Sequence, residues 1–355
     1  MASAPMRVLF APVSSAEGIG ECMRSAIIAD AIQACWPDAD IRFLLNKAAP
    51  FAQTCAYQTH LLDETPTKCT KAVNQFVTDF KPHIMVFDAS GRASQLAHAK
   101  KTGAKVIFLS QHKRKRSRGM KLNRARHTDF HGVVQPDFVI GDISAFDKFK
   151  LNMLHLPKPV NLGPIFSQPQ TQAQKMLLAE LGLASQKYIL FNAGSGGHYV
   201  DGKLAADTYY QAAQKCTELI NLPCVVVFGV NYPKPLPEND KVMVLNNLPN
   251  SGFINLLDAS QFAVISGGDT MLQAIALKKP IIATPVSKDQ PTRIDICFKQ
   301  KLIKSCQTDS DSIVKQILEL VESRECELLK KNLQSIKQYC ALDRLITEVE
   351  SLIDI

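Results

Sequence analysis

Twice along this 355-residue chain, short runs of β-branched and aromatic residues alternate with helix-length amphipathic stretches. That alternation is what βα units produce, and it confines the chain to parallel sheets covered by helices. The first half reads as strands at Arg7–Pro12, Ile41–Leu45, Ile84–Asp88, Lys105–Ser110 and Phe138–Gly141. The second half repeats the scheme at Tyr188–Asn192, Cys224–Gly229, Val242–Leu245, Phe262–Ser266 and Pro280–Thr284. Between them, Leu156–Phe166 (LPKPVNLGPIF) disfavours continuous helix with its three prolines and reads as an extended linker. The expected organisation is an N-terminal domain over 1–160, a second over 161–335, and a helical tail over 336–355 that packs back on the first. The expected fold class is α/β, two Rossmann-like doubly wound domains with a cleft between them.

A length of 355 residues suits two cores better than one. No apolar run reaches the roughly 18 residues of a membrane span, and Met1 leads straight into a strand without signal-peptide grammar, so a cytoplasmic protein is expected. The ten cysteines form no CxxC pair, which points away from zinc and redox motifs. Of the formal net charge of +8, much sits in His112–Arg126 (HKRKRSRGMKLNRAR). An anionic partner follows from that excess, and nucleic acid is disfavoured because no aromatic residue interrupts the run for stacking.

In open parallel sheets ligands gather beyond the carboxyl ends of the strands, and three strands here end in glycine-rich turns. The first turn is Ser14–Glu21, with Gly18 and Gly20 before a helix over Cys22–Ala34. The second is Asn192–His198, with Gly194, Ser195, Gly196 and Gly197. The third is Ser266, Gly267, Gly268, Asp269 and Thr270, opening a helix over Met271–Leu277. Glycine corners at helix starts offer main-chain N–H groups to an anion. None reads GxxxxGK[ST], so a Walker ATPase is excluded, and the first turn lacks the full dinucleotide fingerprint. A nucleoside diphosphate held by amides fits these turns better.

At these residues the chain resembles the GT-B glycosyltransferases, particularly the branch with the lipid II-forming cell-wall N-acetylglucosaminyl transferase. It is also similar to the related UDP-sugar hydrolases. The specific match is Ser266–Gln290 (SGGDTMLQAIALKKPIIATPVSKDQ), which resembles the family's donor signature, with secondary matches at Gly18–Ser25 and Gly194–Gly197. The resemblance implies that Gly267, Gly268 and Thr270 face the donor diphosphate, with Ser266, Asp269, Gly194 and Ser195 beside them. It implies that Leu248 and Pro249 border the nucleobase, and that Asp289 and Gln290 approach the sugar. Two positions depart from the pattern. Gln273 stands where the family usually has an acidic residue for the ribose, and Glu21 where it often has a histidine.

Inverting transfer needs a base for the acceptor hydroxyl and stabilisation of the departing diphosphate. Glu21, Asp88 and His112 are the candidate bases, all expected near strand ends of the first sheet, with Asp142 beside them. Each has a plainer reading: an acidic residue complementing a helix dipole for Glu21, a cap for Asp88, a loop end for His112. His198 either meets the donor phosphates or is simply solvated. Asp38-Ala39-Asp40 and Asp309-Ser310-Asp311 are read as surface turns or caps, so no metal and no cofactor is expected. Gly18, Gly20, Lys113, Arg114, Lys115 and Arg116 are the candidate anion or acceptor contacts, against the alternative of a solvated mobile loop.

The expected function is transfer of a sugar from a nucleotide-sugar donor, UDP-linked by resemblance, to an anionic or lipid-linked glycan acceptor, with peripheral contact at the inner membrane face and a role in cell-envelope polysaccharide synthesis. The alternatives are a nucleotide-sugar hydrolase or epimerase on the same scaffold and a non-catalytic nucleotide-sugar binding protein.

Overall fold

The computed structural model describes residues 5–14, 20–238 and 240–353. The strands in chain order are β1 (Arg7–Pro12), β2 (Asp40–Asn46), β3 (Gln58–Leu62), β4 (Ile84–Asp88), β5 (Lys105–Ser110), β6 (Phe130–Val133) and β7 (Val160–Asn161). They continue with β8 (Ile189–Asn192), β9 (Tyr199–Val200), β10 (Lys203–Leu204), β11 (Cys224–Val227), β12 (Val242–Leu245), β13 (Phe262–Ser266), β14 (Ile281–Thr284) and β15 (Lys304–Ser305). The chain divides into two compact units, one of Met1–Ile165 with Tyr339–Ile355 and one of Phe166–Gln338.

The first unit holds a seven-stranded sheet in the order β3-β2-β1-β4-β5-β6-β7, every pair parallel. Both faces are covered, so its central strands are apolar throughout rather than alternating. In β1, Val8 and Phe10 enter one core with Ile28, Phe43 and Val86, while Leu9 and Ala11 enter the other with Leu44, Met85 and Phe87. The closing helix Ala341–Ile353 adds Ala341, Leu345 and Val349 to the first of these cores. Just before it, the Tyr339 ring lies against Gly163, whose φ is +93°, so close that a Cβ there would sit 2.3 Å from the ring. The Tyr339 hydroxyl donates to Asp137 at 2.8 Å. These contacts join the segment that leaves the unit to the one that returns.

One expected strand is replaced. Phe138–Gly141 is a helical turn, Asp137–Ile140, begun at Pro136 and closed by Gly141 at φ +67°. The strand beside β5 is instead β6, whose sequence FHGV carries a histidine and a glycine in a fully buried position. His131 is buried as a neutral ring, its Nε2 3.0 Å from the Ser110 hydroxyl and its edge against Phe108. Burial, and then Arg116, pull its pKa down to about 3. Asp142, in consequence, follows a helical turn and not a strand.

The second unit holds a six-stranded parallel sheet in the order β12-β11-β8-β13-β14-β15, and a small antiparallel pair, β9 with β10. Ile189, Phe191, Val226 and Val264 fill one face with the helix Ala205–Leu219. Leu190, Val225, Ala263 and Ile265 are equally buried on the other. Among the described residues, no helix is long and apolar enough to cross a membrane.

Candidate functional site

The strand orders reverse direction once in each sheet, between β1 and β4 in the first and between β8 and β13 in the second. At such a switch the two adjacent connections leave to opposite faces, opening a crevice at the carboxyl ends of the strands. Most of the expected site residues lie at these two places.

In the first unit the loop after β1 leads into the helix Gly20–Cys35. Gly18 lies outside the described residues. Gly20 is exposed, with open space where a side chain would project. Glu21, in the first turn, and Arg24, one turn on, share a helix face. Arg24 Nε and Nη2 donate to the two Asp88 carboxylate oxygens at 2.9 and 2.6 Å, and the Ser25 hydroxyl adds a contact at 3.2 Å. Arg24 Nη1 donates to Gln111 Oε1 at 2.7 Å. The Gln111 amide then spans Glu21 Oε1 and His112 Nε2, both at 3.1 Å. All three candidate bases therefore belong to one hydrogen-bonded network, joined by Arg24 and Gln111, which sequence reasoning passed over.

The network sorts the three. Asp88 is fully buried and grips a buried guanidinium with both oxygens. It is an anchor for Arg24. Glu21 is half-buried at the helix start. His112 precedes the helix Lys113–Gly119.

The basic stretch is helical, which sets aside the alternative reading of a mobile loop. It forms Lys113–Gly119 and Leu122–Ala125. Arg116 turns inward and is 6% exposed, donating to the carbonyls of Ile140, Gly141 and Asp142. Through those carbonyls it closes the loop over residues 140–142. Lys113 and Arg114 are exposed. Lys115 reaches back to the Ala89 carbonyl at 2.5 Å. Burial and Arg118 push its pKa below the usual lysine range, while Glu21 and Asp88 oppose that shift.

In the second unit the turns after β8 and β13 touch. A Cβ on Gly194 would lie 3.1 Å from the Ser266 hydroxyl. The Asn192 side chain braces its own turn, accepting from the Gly194 amide at 3.1 Å and donating to Gly194 and Val227 carbonyls at 3.2 and 2.9 Å. Gly196, at φ +92°, passes so near the Phe228 carbonyl that a Cβ would be 2.3 Å from it. The Ser195 carbonyl accepts from Asn231 at 2.8 Å. The segment after β11 is thereby locked beneath the glycine turn, and it meets the end of β12 through Gly229 and Asn246. Leu248 and Pro249 follow there, Pro249 exposed at the start of the helix Asn250–Ala259. His198 is half-buried and directly precedes β9.

After β13 the expectation needs one correction. Gly267 does not present its N–H outward: it donates to the Thr284 carbonyl at 3.1 Å, and the residue is buried against Ile294 and Gln290. Gly268, Asp269 and Thr270 are half-buried at the start of the helix Asp269–Ala276, which has no side-chain cap. Amides in such a first turn have no partner within the helix. Gln290 is 5% exposed, its Oε1 accepting from the Val286 amide at 2.8 Å. Arg293, also unforeseen, donates to the Gly267 carbonyl at 3.0 Å and lies 3.8 Å from Asp269 and 3.6 Å from Asp289. Asp269 and Asp289 thus flank a buried cation that fixes the turn. Gln273 is half-buried one turn along the same helix.

Solved structures share this architecture over nearly the whole chain. The glycosyltransferase VinC in complex with dTDP aligns with a TM-score of 0.63 at 12% identity, over 98% of this chain and 100% of that one. LpCGTa in complex with UDP gives 0.67 at 11%, over 99% and 100%. A putative UDP-N-acetylglucosamine 2-epimerase from Listeria monocytogenes gives 0.59 at 13%, over 98% and 96%. The fold is GT-B. No family model matches the sequence, and no curated protein sequence matches it significantly. At these identities the likeness carries the GT-B fold and leaves the chemistry to the residues. Among the described residues, no three His, Cys, Asp or Glu side chains are grouped to hold a metal ion. Asp309 caps the helix Ser310–Glu322 by accepting from the Ser312 amide at 2.8 Å.

Proposed function

We propose that this chain is a glycosyltransferase that takes a UDP-linked sugar on its second unit and an anionic or lipid-linked glycan acceptor on its first. The observation that carries this reading is the uncapped helix Asp269–Ala276 beside the turn Gly194–Ser195, both at the strand-order switch of the second sheet. Helix-start amides there, with the Thr270 hydroxyl, suit a diphosphate leaving group without a metal ion or cofactor. The VinC and LpCGTa structures contain dTDP and UDP, which supports a nucleotide donor on this fold.

Glu21 is the proposed base, inverting the anomeric centre by in-line attack. It is half-buried and oriented by Gln111, as a positioned proton acceptor must be. Asp88 and Arg24 hold Gln111 in place, and His112 completes the same network. The helix Ala145–Met153 supports contact with an anionic membrane face: Phe146, Phe149 and Met153 form one stripe, 72%, 63% and 59% exposed, opposite the buried Leu151. On this reading the enzyme works in the cytoplasm at the inner membrane face, in cell-envelope polysaccharide synthesis.

The test is a thermal shift with UDP and other nucleotides, followed by nucleotide release from the matching sugar donor with and without acceptor. UDP is expected to raise the melting temperature. Thr270→Ala is expected to weaken that shift, and Glu21→Gln to lower turnover while keeping it. Release without any acceptor would establish the hydrolase or epimerase alternative instead. Absence of any nucleotide shift would remove every nucleotide-sugar reading.

A further inference from the structure

A cavity of about 590 Å³ opens in the second unit at the carboxyl ends of β14 and β15, where Pro285 and Cys306 leave the sheet. Ligands of parallel sheets gather at that end, and the volume is that of a small-molecule site. The helix Gln290–Lys299 separates this cavity from the glycine turns. Its Gln290 and Arg293 hold the Gly267 turn, whereas Pro291, Asp295 and Phe298, on one face at helical spacing, line the cavity. Ile294 is the shared wall: it lines the cavity, and a Cβ on Gly267 would lie 2.6 Å from its side chain.

The lining is chemically mixed. Phe298 is 47% exposed, a large ring left open in a concavity. Hydroxyl, amide and carboxylate groups surround it. Among the described residues, the Ser305 hydroxyl and the Gln307 amide have no hydrogen-bond partner. Gln316 donates to Glu319 along the helix Ser310–Glu322. The charges in the lining balance, Asp295 and Glu319 against Lys304 and Lys315. Two of the four are already paired outside it, Asp295 with Lys299 at 2.7 Å and Lys304 with Glu325 at 2.6 Å. A charged ligand would find no excess of the opposite sign.

We infer that this cavity is a binding site for a neutral saccharide. A pyranose has an apolar C–H face and a rim of hydroxyls that both donate and accept. The first suits the electron-rich face of Phe298, and the second suits the donors and acceptors of Ser305, Gln307, Gln316 and Asp295. A nucleobase carries few polar groups, all in one plane, and would leave most of that lining unused. The site stands apart from the proposed donor turns and holds whether or not they take a nucleotide.

The test is saturation-transfer difference NMR of the full chain with maltose, cellobiose and N,N′-diacetylchitobiose, with uridine in parallel. At least one disaccharide is expected to bind saturably and more tightly than uridine. Phe298→Ala and Gln307→Ala, both exposed positions, are each expected to weaken it about fivefold or more with the melting temperature kept. Lys315→Gln should change the affinity by less than about twofold, because the ligand carries no charge. Saturating UDP should leave the disaccharide bound. No saturable disaccharide binding, unchanged affinity in Phe298→Ala or Gln307→Ala, loss in Lys315→Gln, tighter uridine binding, or displacement by UDP would each overturn the site. If UDP gives no thermal shift in the parent, the donor reading fails while the three variants still decide the saccharide site.

Discussion

Replacing Asp88 with asparagine separates an anchoring carboxylate from a reacting one. In the folded chain both Asp88 oxygens accept from Arg24, at 2.9 and 2.6 Å, and the two side chains are 0% and 5% exposed. Asparagine keeps the shape and one acceptor but takes the Asp88 charge away from the buried guanidinium. Breaking a buried pair on one side costs about 3–5 kcal/mol. For a unit of this size each kcal/mol moves the melting point by roughly 2–4 °C, so a fall of roughly 6–20 °C is expected. The chain has a single tryptophan, and Trp36 packs against the first unit's core, so its fluorescence reports that unit's unfolding. Urea or thermal unfolding followed by Trp36 is therefore the assay. A double replacement, Arg24→Met with Asp88→Leu, should recover much of the loss, since it removes both charges. A midpoint for Asp88→Asn within about 1 kcal/mol of the parent would refute the anchoring argument. If turnover vanished at the same time, Asp88 would be the base.

Three further outcomes are expected. His131 is neutral in the fold with its pKa lowered to about 3, so the unfolded chain binds more protons between that value and its ordinary 6.5; stability should fall as pH drops through this window, by up to about 4–5 kcal/mol, and His131→Gln should flatten the pH dependence of the Trp36 midpoint. Gly196→Ala forces a Cβ into the Phe228 carbonyl at a left-handed φ, and should cost about 2 kcal/mol or more together with the UDP thermal shift; an unaltered shift and midpoint would show that the turn accommodates a side chain. Sedimentation with vesicles containing phosphatidylglycerol should retain the parent protein and lose it on Phe146→Ser with Phe149→Ser, while neutral vesicles retain neither; equal retention of the double variant would remove the membrane role of that helix.

The central strands were legible because parallel strands buried on both faces are written as unbroken apolar runs. Arg7–Pro12, Ile84–Asp88, Lys105–Ser110 and Phe262–Ser266 have in the fold the bounds that their sequence suggests, as does one edge strand, Val242–Leu245, which is apolar throughout. The other edges were not legible. Gln58–Leu62 is polar because one side of it faces solvent, and Val160–Asn161 and Lys304–Ser305 are too short to show a period. β6 was hidden by a histidine and a glycine that only tertiary packing explains: a Cβ at Gly132 would meet Leu109 and Leu162 at 2.8 Å. At the site, glycines marked the turns, while the residues that brace them, Arg24, Gln111 and Arg293, come from helices and strand ends far away in sequence. Arg24 did carry a signal, one helical turn from Glu21, but its partner lies 64 residues away. The basic run showed its charge and concealed its division of labour, because which arginine points inward depends on where the carbonyls of residues 140–142 arrive.

The first unit is made of two pieces of chain, and the whole second unit is synthesised between them. On the ribosome, residues 1–165 must wait for the whole of 166–338 to emerge before Ala341, Leu345 and Val349 can complete their core. A stop codon placed after residue 338 would therefore injure the unit built on residues 1–165 and spare the one built on 166–338. Folding in the cell is expected to run out of sequence order, with the second unit maturing before the first.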